Sequence, residues 1–438
     1  MVKGGNCMLN TTVKTIMPNV SLRCIRTDKF KTAIISVNFI TPLSSKTVSK
    51  TMLLPSVLLR GCVSHPDMES LSLYQEELYG TTLEPIIRKK GEVLSMGIYA
   101  GFVDDDFLPA GENLLEKVAA LLGEIILSPE TRGGLLLADY VESEKVNLID
   151  KIRGLKNDKM SYAVQLLIEN MCKNEAYGTP RFGTEAQVQA INARSLTKHY
   201  RETIATSKVE IVYCGASNPE RVELAIVNAF SSLPRRGEVT VPETEVIYTQ
   251  TGDVKSVTDQ FEVVQGKLSM GFRIGEILKN TDKAKLMVFN DIFGGDANSK
   301  LFANVREKLS LCYYASSYIE DRKGIMVVCS GVDKANFKAA YDEILAQLDA
   351  VRSGDFTQDE LDTAKSFIIS QLKSRLDTVG GLEGLYFDMA LSDDEITPDK
   401  LITMTGLVKA EDVIAIAKSI WLDTVHYIEP VGGEQDEE

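Results

Sequence analysis

The sequence predicts an α+β fold made of two similar halves, and three observations carry that reading. Strand-like and helical segments come in a similar order twice. A segment rich in proline, glycine and charge, Leu233 to Glu245, separates the two runs. No phosphate-binding glycine fingerprint follows any strand, which argues against a nucleotide-binding α/β fold. With 438 residues and 44% apolar composition, the chain has material for two large cores. The expected division is residues 1–232, a linker at 233–250 and residues 251–438. The halves are expected to face each other like the shells of a clam, as an ancient duplication would leave them.

In the first half, Val20 to Thr41 has strand character, centred on the apolar and β-branched run Ala33 to Phe39. Helical periodicity follows at Ser45 to Leu59 and at Glu69 to Tyr79, where Gly80 stops it. Strands at Thr82 to Arg88 and Val93 to Ala100 lead to helices at Glu112 to Leu127, around Glu144, at Ser161 to Lys173 and, as one piece, at Glu185 to Glu202. A strand at Val209 to Cys214 and a helix from Pro219, capped by Asn218 or Ser217, complete the half. The second half begins with a strand at Leu268 to Ile274 and two helical runs around Gly294. Strands at Tyr313 to Tyr318 and Gly324 to Ser330 precede a helix at Asn336 to Val351. Thr357 and Glu360 form a capping-box signature for a helix with Leu361, Ala364, Ile368 and Leu372 on one face. Strand character returns at Val425 to Ile428, before the acidic segment GGEQDEE, whose composition is that of a disordered tail.

Composition narrows the function. A net charge of −14 argues against nucleic acid as a partner; it suits an acidic cavity for basic or neutral peptides, and equally plain solubility. Seven cysteines without a C-x-x-C pair suit a reducing compartment and free thiols. No apolar run is long enough to cross a bilayer and the N-terminal segment lacks a signal core, so the expected location is cytoplasmic, with no membrane partner. The three histidines, His65, His199 and His426, include no pair at metal-ligand spacing and read as structural or solvated. Asp104, Asp105 and Asp106 read as a solvated acidic loop, with cation binding as the sharper alternative.

The segment with most chemistry is Phe293 to Tyr318, FGGDANSKLFANVREKLSLCYYASSY. Gly294 and Gly295 separate two helical runs, with Ser299 as the cap of the second. Arg306 sits at the edge of that helix's buried stripe, four residues after Phe302. A strand from Leu311 to Ser317 would put Tyr313, Ala315 and Ser317 on one face. A guanidinium and a phenol converging across this junction suit a grip on a peptide carbonyl or carboxylate. From spacing alone, a solvated helix-end cation and an ordinary strand aromatic account for them as well. The pattern GG-x-x-x-S-x-L-F-x-x-V-R-E-K-x-x-L-x-Y resembles the C-terminal half of the insulinase-type (M16) metallopeptidases, and weaker similarity runs over nearly the whole chain. That resemblance implies duplicated M16 halves of the LuxS/MPP-like type. It makes Arg306 and Tyr313 substrate-binding residues beside the Gly294–Gly295 turn.

Peptide-cleaving members of that family carry His-x-x-Glu-His on an early helix, where two histidines share zinc and the glutamate activates its water. Matching the family's glycine to Gly61 puts Met52 and Ser56 at the histidine positions and Pro55 at the glutamate. A proline inside a helix costs roughly 3 kcal/mol, so this helix should kink or begin at Pro55. On the later helix, Glu144 takes the first acidic position and Lys151 falls where the third ligand belongs. The resemblance therefore implies an inactive homologue, similar to a YfmF-like bacterial group, without catalytic residues, zinc or other cofactor. The expected role is to bind a peptide or unfolded protein segment and to support an active, zinc-carrying M16 partner in a hetero-oligomer. A homodimer is the alternative assembly. Rival readings are a zinc metallopeptidase with unconventional ligands and a purely structural subunit.

Overall fold

The computed structural model of the chain describes residues 10–236, 239, 243–250, 252–280, 282–392 and 396–431. Cys7, the acidic GGEQDEE segment and part of the expected linker lie outside them. The first half opens with strands β1 (Asn10–Met17), β2 (Val20–Arg26) and β3 (Thr32–Pro42), then helices α1 (Val48–Leu58) and α2 (Met68–Glu77). β4 (Thr82–Lys90) and β5 (Val93–Val103) form a hairpin before α3 (Leu114–Leu127) and a small hairpin, β6 (Thr131–Arg132) and β7 (Leu135–Leu136). Helices α4 (Ala138–Gly154), α5 (Lys159–Met171), α6 (Glu185–Gln189) and α7 (Ala193–Thr206) lead to β8 (Lys208–Gly215) and α8 (Pro219–Phe230).

The second half holds β9 (Lys255–Phe261), β10 (Lys267–Ile274), α9 (Lys283–Asn290), β11 (Ala315–Glu320) and β12 (Ile325–Gly331). Helices α10 (Phe337–Ser353), α11 (Gln358–Arg375), α12 (Val379–Ala390), α13 (Pro398–Leu407) and α14 (Ala410–Ser419) precede the last strand, β13 (Ile420–Pro430). Between Phe230 and Lys255 the described residues form neither helix nor strand.

The duplication is visible in the strand order. The first sheet runs β1, β2, β8, β3, β5, β4, and the second, taken from its far edge, runs β9, β13, β10, β12, β11. Setting β1 aside, each strand has a counterpart, and the single parallel pair of each sheet, β2 with β8 and β9 with β13, falls at the same place. Helices match too: five lie between β5 and β8, and five between β12 and β13.

Several expectations are corrected. The helix expected over Glu185 to Glu202 is two, because the Asn192 side chain accepts from the Ser195 amide (2.9 Å) while the Ser195 hydroxyl takes the Asn192 amide, starting a new helix. β1, β9 and the helices α12 to α14 were not read from the sequence. The Thr357–Glu360 capping box and the Asn218 cap are present.

Each sheet has one face on its own half's core and the other face covered by a helix of the opposite half. β3 is buried on both sides for this reason: Ala33, Ile35, Val37 and Phe39 enter the main core, while Ile34 packs with Leu382 and Tyr386 of α12. Reciprocally, Leu167 and Met171 of α5 cover Ile325 and Val327 of β12. Gly271 of β10 permits that approach, since a Cβ there would lie 2.5 Å from the Met171 sulfur.

Charge pairs are buried along with the apolar contacts. Glu383 of α12 takes a bidentate fork from Arg88 of β4 (3.0 and 2.6 Å) and the Ser36 hydroxyl of β3 (2.6 Å). Glu175, just past α5, takes a bidentate fork from Arg273 of β10 (2.9 and 2.6 Å) and the ammonium of Lys323 (2.7 Å). Lys323 is completely buried and also reaches Glu92 at 2.7 Å, so one cation joins carboxylates of the first half to a turn of the second. Removing Lys323 leaves Glu92 buried without a countercharge and Glu175 with Arg273 alone, and an unpaired buried charge costs about 3–5 kcal/mol. Lys323→Met is expected to lower unfolding free energy by that amount in urea denaturation. A loss under about 1 kcal/mol would show that Glu92 and Glu175 do not depend on Lys323.

Candidate functional site

α1 is the helix that the resemblance assigns to metal binding. It begins at Val48, so Pro55 is an interior residue and does not open the helix. Nine of its eleven residues are buried, so packing holds this helix against the proline's penalty. Met52 is buried and Ser56 half-buried, while Lys151, on α4, is exposed. One turn after Ser56, the Arg60 Nε donates to the Glu144 carboxylate (2.6 Å) and its Nη2 to the Ser143 hydroxyl (2.8 Å). The other Glu144 oxygen accepts from Asn147 (3.1 Å), so this carboxylate is engaged in docking α4 on α1.

A thioether, a ring with no donor, a hydroxyl and an ammonium do not fit Zn²⁺, which takes imidazole, thiolate or carboxylate. Among the described residues, no group of three or more His, Cys, Asp or Glu side chains is placed to hold a metal ion.

The histidines sit in separate places. His65 stacks on Tyr74, with ring centroids 4.3 Å apart. His199 is buried on α7 and shares a hydrogen bond with the Thr51 hydroxyl of α1 (3.0 Å). Burial, with the Lys50 ammonium nearby, lowers its pKa to about 4 and keeps the ring neutral. His426 is fully buried in β13, with Nε2 2.9 Å from the Asp259 carboxylate.

The aspartate run is a correction. Asp104 is buried and accepts from the Ala216 amide (2.9 Å), and Asp105 caps α3 through the Leu114 amide (3.1 Å) while pairing with Arg221. Only Asp106 is exposed. The first two are structural acceptors rather than a solvated loop, and the unconventional-ligand reading loses its candidate.

At the second half's motif, α9 passes into a wide turn, Asp291–Gly295. Gly294 is buried against β11: a Cβ would stand 2.6 Å from the Ser317 hydroxyl and 2.9 Å from its amide nitrogen. Gly295 is exposed beside it. The Asn290 amide donates to the Ser317 carbonyl (3.2 Å), closing the middle of edge strand β11. Ser299 caps the next helical segment, Phe302–Lys308, accepting from the Phe302 amide at 3.4 Å.

Arg306 is exposed on that segment, its guanidinium 4.5 Å from the Phe302 ring centroid, in cation–π contact. Tyr313 is 74% exposed and precedes β11, so it does not share a strand face with the buried Ala315 and Ser317 as alternation predicted. Ser310, at φ +50°, turns the chain, and the Leu311 amide closes the helix end on the Val305 carbonyl (3.0 Å). The strand starts only after that closure. No hydrogen bond joins Arg306 to Tyr313 among the described residues, and both side chains face solvent. Asp291, not singled out from the sequence, is 6% exposed at the base of the glycine turn. Burial, reinforced by the Asp296 carboxylate, pushes its pKa up to about 7.

Comparison with known proteins identifies the class. The family described as "Peptidase M16 inactive domain" matches residues 190–367. The chain is 34% identical over 410 residues to "Probable inactive metalloprotease YmfF" of Bacillus subtilis (strain 168), covering 93% of this chain and 95% of that protein. A crystal structure of a conserved protein from Enterococcus faecalis V583 superposes with a TM-score of 0.87 at 29% identity, covering 97% of this chain and all of that one (100%). The crystal structure of a peptidase M16 inactive domain from Pseudomonas fluorescens superposes at 0.79 with 15% identity, a likeness of fold, over 97% of this chain and 99% of that one. This chain belongs to the M16 peptidase family, as an inactive homologue. The bacterial group it resembles is accordingly the YmfF-like one.

Asp291 generates a pH prediction. A carboxyl with a raised folded-state pKa binds its proton more tightly folded than unfolded, so its contribution is fully present below the unfolded value of about 4 and is lost as pH rises through about 7. Asp291→Asn, which cannot ionise, should leave the thermal midpoint of the variant above that of the wild type increasingly from pH 5 to pH 8. A difference between the two that stays constant with pH would show that Asp291 is not the titrating group.

Proposed function

We propose that this chain binds an extended peptide or unfolded protein segment without cleaving it, and supports a zinc-carrying M16 partner. The observation that carries the reading is the asymmetry between the halves. The helix that the resemblance assigns to metal binding offers Met52, Pro55 and Ser56, while Arg306 and Tyr313 stand in solvent on either side of the Ser310 turn.

A guanidinium with several donors and a phenol that donates and accepts are suited to main-chain carbonyls, which every peptide presents. The middle of β11 is already closed at Ser317, so the reading rests on side-chain clamping rather than strand addition there. Stacking on Phe302 limits the rotamers of Arg306, which reduces the entropy lost when it engages a ligand. In this arrangement the partner supplies the metal and the nucleophilic water, and this chain supplies orientation.

The test is a peptide-cleavage assay on the chain co-purified with a zinc-carrying relative from the same source. Hydrogen bonds to a charged group are worth about 1.5–3 kcal/mol, so Arg306→Ala should lower kcat/KM of the pair by roughly 10- to 100-fold, mainly through KM. Unchanged kinetics with Arg306→Ala and with Tyr313→Phe would overturn the clamp. Turnover by this chain alone, with stoichiometric zinc, would overturn the division of labour.

A further inference from the structure

The outer face of α7 forms one wall of a groove of about 420 Å³ whose charge opposes that of the molecule. Arg194, Lys198, Arg201 and Arg236 line it, with Glu202 as its one carboxylate, on a chain carrying −14 overall. Arg194, Lys198 and Arg201 follow the spacing of neighbouring turns, so they share one helix face, while Leu196, His199 and Thr203 on the other face are buried toward the body of the half. The floor is apolar, with Leu135, Ile204 and Ala205.

These cations are only partly engaged. Arg201 donates to the Gly134 carbonyl (2.6 Å), and Lys198 lies 3.7 Å from Glu202 with both side chains well exposed. The side chains of Arg194 and Arg236 have no hydrogen-bond or ion-pair partner among the described residues. An acidic protein that concentrates unneutralised cations around a concave surface has built a field that attracts anions locally while the rest of its surface repels them. That contrast selects a short acidic segment able to lie within the groove and disfavours a long polyanion, which would extend over the acidic surroundings.

We propose that this groove binds an acidic, extended segment of a partner protein, with carboxylates on Arg194, Lys198 and Arg236 and an apolar side chain on the floor. From Arg194 to Arg201 the helix rises about 10 Å, the length of three residues of extended chain, so carboxylates spaced two or three residues apart match the cations. The groove does not include Arg306 or Tyr313, so it can hold a partner independently of the peptide clamp.

Fluorescence anisotropy of the full chain with a fluorescein-labelled decapeptide of alternating glutamate and serine tests the proposal. The peptide should bind at low salt at least ten times more tightly than its glutamine counterpart, and weaken as salt is added. Arg194→Glu, Lys198→Glu and Arg236→Glu together should reduce affinity at least tenfold. The positions are exposed, so the thermal midpoint should be retained; should the triple variant fail to fold, Arg194→Gln with Arg236→Gln is expected to weaken binding at least threefold. Equal binding of the glutamine peptide, or unchanged affinity in the folded variant, overturns the proposal. So does a single-stranded oligonucleotide of equal charge that binds as tightly as the acidic peptide, because the groove would then be a general anion site.

Discussion

The constraint on which the structure depends is that neither sheet is covered by its own half alone. α12 of the second half lies on the first sheet and α5 of the first half lies on the second, and each brings a carboxylate that the opposite sheet neutralises. Burial pushes Glu175 toward neutrality, but Arg273 and Lys323 overrule it and hold its carboxyl below the usual range. A displaced helix would strand Glu383 or Glu175 in a nonpolar layer, so the charges penalise wrong register even where their net contribution to stability is small. The spatial relation between α1 and the glycine turn is therefore set within one chain.

What the sequence reveals follows from how local each signal is. β3 is legible because its run Ala33 to Phe39 is rich in apolar and β-branched residues, and α11 because a capping box and an apolar stripe agree. β1 and β9 are largely exposed edge strands with mixed polarity, held in place by pairing that no local pattern announces. α12 escaped for the opposite reason. It carries glycines at 380, 381 and 384 and a buried Glu383, features that argue against a helix until the Arg88 fork is known.

The candidate site shows the same division. That Met52, Pro55 and Ser56 are unsuited to bind zinc is legible directly, because donor chemistry belongs to residue types and not to where they point. Placement of Tyr313 is not, because the expected strand begins at Leu311, whereas Ser310 turns at positive φ, the Leu311 amide still closes the helix end on Val305, and the strand begins only at Ala315. Asp104 and Asp105 looked like solvated charge because their acceptors' partners, Ala216 and Arg221, are more than a hundred residues away. Asp291 gave no signal at all, since only tertiary burial distinguishes it from any other helix-end carboxylate.

The duplication also shows that this fold forms around a helix with no metal-binding side chains. α9 occupies in the second half the place that α1 occupies in the first, following the strand equivalent to β3 and preceding a glycine turn. Its sequence, KAKLMVFN, contains no histidine, cysteine or carboxylate, yet the same sheet order forms around it. The architecture thus stands on the packing of these helices and on the exchanged pair α5 and α12, while the zinc site that the resemblance implies would be an addition to the facing sides of α1 and α4. Substituting its ligands removes chemistry from α1, and the burial of that helix persists. Pro55 is the measure of this: an interior proline that removes a backbone donor is tolerated because nine of eleven residues hold the helix by contacts in which metal has no part.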